Sequence, residues 1–135
     1  MTNQSLAESY LTKAKIRMEA VKFLHSRGGY SDVIREAQEV VELYLKGILR
    51  FAGIEPPKWH DVGPILLQHW TQIASLDQRT TEKLAEISAR LRKEREISLY
   101  GDIDFIPTEE YNAQDSAKAI EDAEFSLSIA ESIIR

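Results

Sequence analysis

Tyr30-Ser31-Asp32-Val33-Ile34-Arg35-Glu36-Ala37-Gln38-Glu39-Val40-Val41-Glu42-Leu43-Tyr44-Leu45-Lys46-Gly47-Ile48-Leu49 carries the decision about the fold. Val33, Ala37, Val40, Val41, Tyr44, Ile48 and Leu49 recur at steps of three and four, the period at which side chains share one face of an α-helix. Leu45 and Phe51 widen that face into a broad arc, so neighbours must cover this helix on more than one side. The spacing predicts a central, deeply buried helix from about Asp32 to Ala52, with Ser31 as N-cap and Gly53 as terminator.

Upstream, Leu6, Tyr10, Ala14, Met18 or Val21, and Leu24 repeat with the same period from about Ser5 to Arg27, and Gly28-Gly29 ends the segment. Downstream, Glu55-Pro56-Pro57-Lys58-Trp59 cannot continue a helix, because each proline lacks an amide donor and restricts the residue before it. A short helix is expected after His60-Asp61, with Pro64 in its first turn and Ile65, Leu66, Trp70 and Ile73 inward. A fourth helix spans about Gln78 to Leu99. The last starts near Asn112, an N-cap with Asp115 three residues on, and places Ala113, Ala117, Ile120, Leu127, Ala130 and Ile134 on one side. No repeat and no long apolar–polar alternation interrupts the helical pattern. The expected architecture is all-α, an up-and-down bundle of four long helices plus one short, forming one domain over residues 1–135.

Cysteine is absent, which excludes disulfides, thiolate catalysis and thiolate metal sites. His25, His60 and His69 lack ligand spacing, so neither a metal nor a cofactor is expected. His60-Asp61 reads as an Asp61 helix cap with His60 packed on the connector, not as a catalytic dyad. Trp59 and Trp70 read as core or interface residues. No apolar block is long enough to span a bilayer and the N-terminus lacks signal-peptide regions, so a cytoplasmic location is expected. Net charge is −5, but the residues from Gly101 onward carry −7, leaving +2 on the first hundred. An anionic ligand should therefore meet the first hundred residues.

Helix four holds the one conflict in the pattern. Leu84, Ile87 and Leu91 share a stripe that continues into Arg95 and Ser98, so a guanidinium points in the core-facing direction and needs a carboxylate, a polar groove or a phosphate. Two readings follow. Arg95 pairs with a carboxylate such as Glu94 or Asp102 and holds the following loop; or Ser88, Arg92, Arg95 and Tyr100 line an anion-binding groove, with Arg90 and Lys93 on outer faces. One helix offers little surface for such a groove, so a two-fold homodimer setting helix four against its copy is expected. Glu36, Glu39 and Glu42 lack the histidine of a di-iron motif and read as a solvated or salt-bridged stripe with Arg35 and Lys46.

The run from Tyr30 to Leu49, followed by Gly53-Ile54-Glu55-Pro56 and His60-Asp61-Val62, resembles the signature of the HEPN family, the helical partners of minimal nucleotidyltransferases. The match covers the second helix and the connector, and the bundle layout extends it to nearly the whole chain. The resemblance implies a dimerising bundle encoded beside a minimal nucleotidyltransferase as a toxin–antitoxin pair. Many members are metal-independent ribonucleases whose motif is an arginine followed, after four to six residues, by a histidine. Arg95 fits that arginine, but the corresponding positions hold Tyr100, Gly101 and Asp102, and no histidine follows His69. Cleavage through the 2′-hydroxyl needs a proton carrier near neutral pH, which tyrosine, with a pKa near 10, supplies poorly. The expected function is thus a binding module for nucleotide or RNA, with Arg95 and Tyr100 as weak catalytic candidates only. In some members a tyrosine near the motif accepts a nucleotide from the partner, which makes Tyr100 the candidate for nucleotidylation. The alternatives are a metal-independent ribonuclease using Arg95 and Tyr100, and a purely structural helical interaction protein.

Overall fold

A computed structural model describes residues 2–58 and 61–134. Within them run six helices: α1 (Asn3–Ser26), α2 (Tyr30–Phe51), α3 (Gly63–His69), continued by a 3-10 turn over Trp70–Gln72, α4 (Gln78–Leu99), the single turn α5 (Pro107–Glu110) and α6 (Ala113–Ile133). The all-α bundle is as the periodicity requires. The additional helix is α5: Pro107, its φ preset for a first helical turn, starts one turn between the expected fourth and last helices.

The central helix is α2, and α1, α4 and α6 all pack on it. Val33, Val40, Tyr44, Leu45, Ile48 and Leu49 are fully buried along it, joined by Ala14 and Val21 from α1, Leu66 from α3, Leu84, Ile87 and Leu91 from α4, and Ala123 and Ala130 from α6. Two expectations about helix starts need correction. Gly29, not Ser31, occupies the N-cap of α2, so Ser31 lies inside the first turn and is buried. Val62, not Asp61, is the N-cap of α3; the Asp61 carboxylate accepts the Gly63 amide at 3.1 Å from one position further out. Elsewhere the caps follow side-chain chemistry. Asp77 accepts the Thr80 amide at 2.7 Å to begin α4, and that bond holds its carboxyl below the usual range. Asn112 and Asp115 form a reciprocal capping box at α6.

The buried face of α6 is turned relative to expectation. Ser116, Ala119, Ala123, Ser126, Ala130 and Ile133 face the core, whereas Ala113 and Ala117 are exposed and Ile120 and Leu127 sit at the margin. Small residues on the inner stripe let α6 approach α2 closely, and the larger aliphatics cover the seam. A similar approach brings the start of α3 onto α4, where a Cβ on Gly63 would lie 3.1 Å from that of Ala85. Leu84, Ala85, Ile87, Ser88, Leu91 and Ser98 are buried along α4, and no helix is long and apolar enough to cross a membrane among the described residues.

After α4 the chain turns at Gly101, whose φ of +65° is left-handed. A Cβ there would meet the Phe105 carbonyl oxygen at 2.3 Å and Pro107 Cδ at 2.5 Å, so only glycine fits. The turn closes through paired backbone hydrogen bonds between Asp102 and Phe105. Phe105 then packs edge-on against Tyr111, with ring centroids 5.7 Å apart. Ile103, carried on this turn, is 89% exposed.

Candidate functional site: an arginine cavity between two helices

The charged strip of α2 falls along its i, i+4 register, so Arg35, Glu36 and Glu39 emerge together from an otherwise buried helix. Arg35 Nη1 bonds the Glu36 carboxylate and lies 3.4 Å from Glu39 Oε2. From α1, Arg17 Nη1 reaches the same two carboxylates, 3.4 Å from Glu39 Oε2 and 3.6 Å from Glu36 Oε1. From α4, Arg95 Nη2 approaches Glu39 Oε1 at 3.6 Å. Three helices thus deliver three guanidiniums to two carboxylates. These spacings, apart from the Arg35–Glu36 bond, are longer than well-made charge-assisted hydrogen bonds of roughly 2.7–2.9 Å. Glu36 is bound tightly to Arg35, whereas Glu39 is a loosely held counter-ion to all three guanidiniums.

Beside this cluster lies an open cavity of about 370 Å³ lined by Arg35, Arg92, Arg95, Glu96, Leu99 and Tyr100. Its wall is basic, with three guanidiniums against the Glu96 carboxylate. Arg35 Nε is buried and lacks a hydrogen-bond partner. A buried guanidinium N–H without an acceptor is costly.

The four residues expected to line a groove do not all meet. Arg92, Arg95 and Tyr100 do, and Arg95 has both an acidic partner and an open cavity. Its partner is Glu39 of α2; Glu94 lines a different cleft, and Asp102 instead accepts the Ile103 amide at 2.7 Å. Tyr100 caps α4 at the cavity's lip and is 76% exposed, so its phenol is open to solvent. Ser88 is elsewhere. It is buried and donates to Asp61 Oδ1 at 2.6 Å, tying α4 to the start of α3. Arg90, expected on an outer face, turns toward α6, where its Nη2 lies 2.7 Å from the buried Asp122. Arg35 was expected only as a salt-bridge partner in the α2 stripe, and its place on the cavity wall was missed. A charged strip running along a helix that must be covered all round was the signal that could have found it.

Lys46 pairs with Glu42 at 3.1 Å, as the stripe reading expects. Trp70 is half-buried against the core. His60 and Trp59 lie outside the described residues. Of the described histidines, His25 shares a hydrogen bond with Ser116 at 2.8 Å and His69 one with Gln72 at 3.2 Å; neither lines the cavity. Among the described residues no three histidine, aspartate or glutamate side chains converge as a metal cluster.

The family model of the HEPN domain matches residues 7–135, nearly the whole chain. The chain belongs to the HEPN family. Its fold agrees with that of a crystallised archaeal HEPN homologue at a TM-score of 0.71, with 22% sequence identity over 96% of this chain and 98% of that one. No curated protein sequence matches it significantly. In this HEPN chain the family bundle places its arginine pair at the open end of α4, facing α2.

Proposed function

We propose that this HEPN chain is a helical binding module that takes a phosphate-bearing ligand, a nucleotide or an RNA backbone, in the cavity formed by Arg35, Arg92 and Arg95, and that it is the partner of a minimal nucleotidyltransferase in a toxin–antitoxin pair. The observation that carries this is the convergence of three guanidiniums, those of Arg35, Arg92 and Arg95, on the lining of one open cavity. Planar guanidinium forks suit phosphate oxygens, and the long ion pairs to Glu39 are exchangeable for stronger ones. Tyr100 at the lip offers a stacking face to a base, or a hydroxyl as nucleotidyl acceptor.

Catalysis is the weaker reading because no imidazole follows Arg95 in the chain, so the ribonuclease motif is incomplete. A homodimer is supported by Ile97, Leu99, Ile103 and Ile106, which remain exposed around the cavity's end of the molecule, a patch a second copy would cover.

Calorimetric titration with ATP and with a short single-stranded RNA tests the proposal. Binding is expected, weakened about tenfold or more by Arg35→Ala and by Arg95→Ala, which each remove a charge-assisted contact. Failure of both ligands to bind overturns the phosphate reading. RNA degradation in EDTA, lost in Arg95→Ala, would establish the ribonuclease instead. Co-purification with the product of a neighbouring nucleotidyltransferase gene tests the partnership.

A further inference from the structure

The lysines and the arginine of α1 divide between its two flanks. Lys15 and Lys22 pair with Glu131 and Glu124 of α6. Lys13 and Arg17, one helical turn apart, lie on the other flank and line a cavity of about 160 Å³ between α1 and α2, together with Glu39, Glu42, Leu43 and Lys46. It is small, as a subsite for a single phosphate group requires.

This cavity and the arginine cavity have one carboxylate between them. Glu39 Oε2 lies 3.4 Å from Arg17 Nη1, and its Oε1 lies 3.6 Å from Arg95 Nη2, so one acid is loosely held by a guanidinium from the lining of each cavity. The two linings together hold six bases and three acids. That excess follows from how charge is distributed along the chain. Every residue of both linings comes from the first hundred, which carry +2, whereas the −7 of the remainder contributes nothing to either. In the smaller cavity Lys46 is held by Glu42 at 3.1 Å and Arg17 by Glu36 and Glu39, while Lys13 is exposed and makes no ion pair among the described residues.

A mononucleotide fills one basic position. Two such positions on either side of a single carboxylate suit an anion that repeats along a chain. A single nucleic-acid strand has that property, with one charge per nucleotide on a flexible backbone, and proteins that bind such strands track the backbone along a basic groove with aromatic rings for the bases. Tyr100, exposed at the lip of the arginine cavity, offers a ring of that kind, for which an acidic peptide has no use.

Resting on the phosphate reading of the arginine cavity, we propose that the cavity between α1 and α2 is a second phosphate subsite, where Lys13, Arg17 and Lys46 hold a phosphodiester, and that the ligand is therefore a single nucleic-acid strand and not a free nucleotide. The strand stacks a base on Tyr100, passes Arg95 and Arg35, and crosses Glu39 to reach Lys13 and Lys46.

Calorimetric titration of the full chain with AMP, with hexaadenylate and with hexaglutamate, at several salt concentrations, tests this. Hexaadenylate is expected to bind at least about tenfold more tightly than AMP, and hexaglutamate more weakly than hexaadenylate. Lys13→Ala and Lys46→Gln should each weaken hexaadenylate binding by about three- to tenfold, the loss of one charge-assisted contact, and leave AMP affinity unchanged. Each should also reduce the salt dependence of log K for hexaadenylate by about 0.7, the value for one phosphate contact on a single strand. Because Lys13 is exposed and unpaired, its removal leaves the fold intact. AMP binding with hexaadenylate no tighter, or hexaadenylate affinity and salt slope unchanged in both lysine variants, overturns the second subsite while the phosphate reading of the arginine cavity stands. Binding of neither overturns both. Hexaglutamate binding as tightly as hexaadenylate, and weakened equally by the lysine variants, assigns the surface to an acidic peptide and overturns the nucleic-acid strand.

Discussion

Arg95 on α4 reaches across to Glu39 on α2, with Nη2 3.6 Å from Oε1, and Glu39 simultaneously faces Arg17 and Arg35. One carboxylate therefore holds three guanidiniums from three helices close together. Its removal should have two separable effects. Glu39→Gln leaves like charges adjacent and should lower stability by about 1–2 kcal/mol, less than for a fully buried pair because these side chains are partly hydrated. It should also strengthen anion binding, so that pyrophosphate raises the melting temperature of the variant more than that of the wild type. Thermal melts at several pyrophosphate concentrations read both effects. An equal ligand-induced rise in the two proteins would mean that Glu39 does not compete with the anion.

Ser88→Ala separates the buried seam from the cavity. The hydroxyl donates to Asp61 Oδ1 at 2.6 Å and does not line the arginine cavity, so the substitution should cost about 1 kcal/mol in urea unfolding. Nucleotide affinity should stay at the wild-type value.

The fold was legible because the α2 run is apolar over so wide an arc that only a central position satisfies it, and because glycines, prolines and Asn112 mark the breaks. The face of α6 was less legible: its core stripe is built from serines and alanines, while the larger Ile120 and Leu127 drew the reading to the wrong side. The site was legible only in part. Periodicity along α4 pointed to Arg92, Arg95 and Tyr100 but also to Ser88, since a helical stripe cannot tell which end of it opens to solvent. Arg35 and Glu39 enter the site through tertiary contact between α2 and α4, which spacing within one helix does not encode.

Tyr44 places a hydroxyl in the middle of the core with no partner, and burial pushes its pKa well above 10. Tyr44→Phe removes an unsatisfied polar group while keeping the ring, so stability should rise by up to about 1 kcal/mol. A higher urea midpoint with an unchanged slope is the expected result. A loss of stability would show that the hydroxyl is satisfied in solution, by a buried water.

Gly101→Ala should destabilise the α4–α5 turn. The left-handed backbone disfavours any side chain, and the added Cβ would meet the Phe105 carbonyl at 2.3 Å and Pro107 Cδ at 2.5 Å, backbone and ring atoms with little room to yield. A loss of about 1–3 kcal/mol is expected, larger if the turn cannot relax. Because Tyr100 immediately precedes the turn at the cavity's lip, nucleotide binding should weaken with stability. Calorimetric unfolding and titration of the same sample would show the two together.

Alkaline pH should weaken the fold through Tyr111. Its folded-state pKa is raised from 10 to about 12, mainly by burial and then by Glu94 and Asp115, whereas in the unfolded chain the phenol titrates near 10. Between these values the native state holds a proton that the unfolded state has released. Stability is therefore complete below about pH 10 and falls as pH rises toward about 12. Tyr44, whose folded-state pKa is raised still further, adds to the same slope. Urea unfolding measured across this window should show a shallower decline in Tyr111→Phe than in the wild type, and a shallower one again when Tyr44→Phe is added. A decline of equal slope in all three would place the alkaline sensitivity in other groups, such as the lysines paired across the helices.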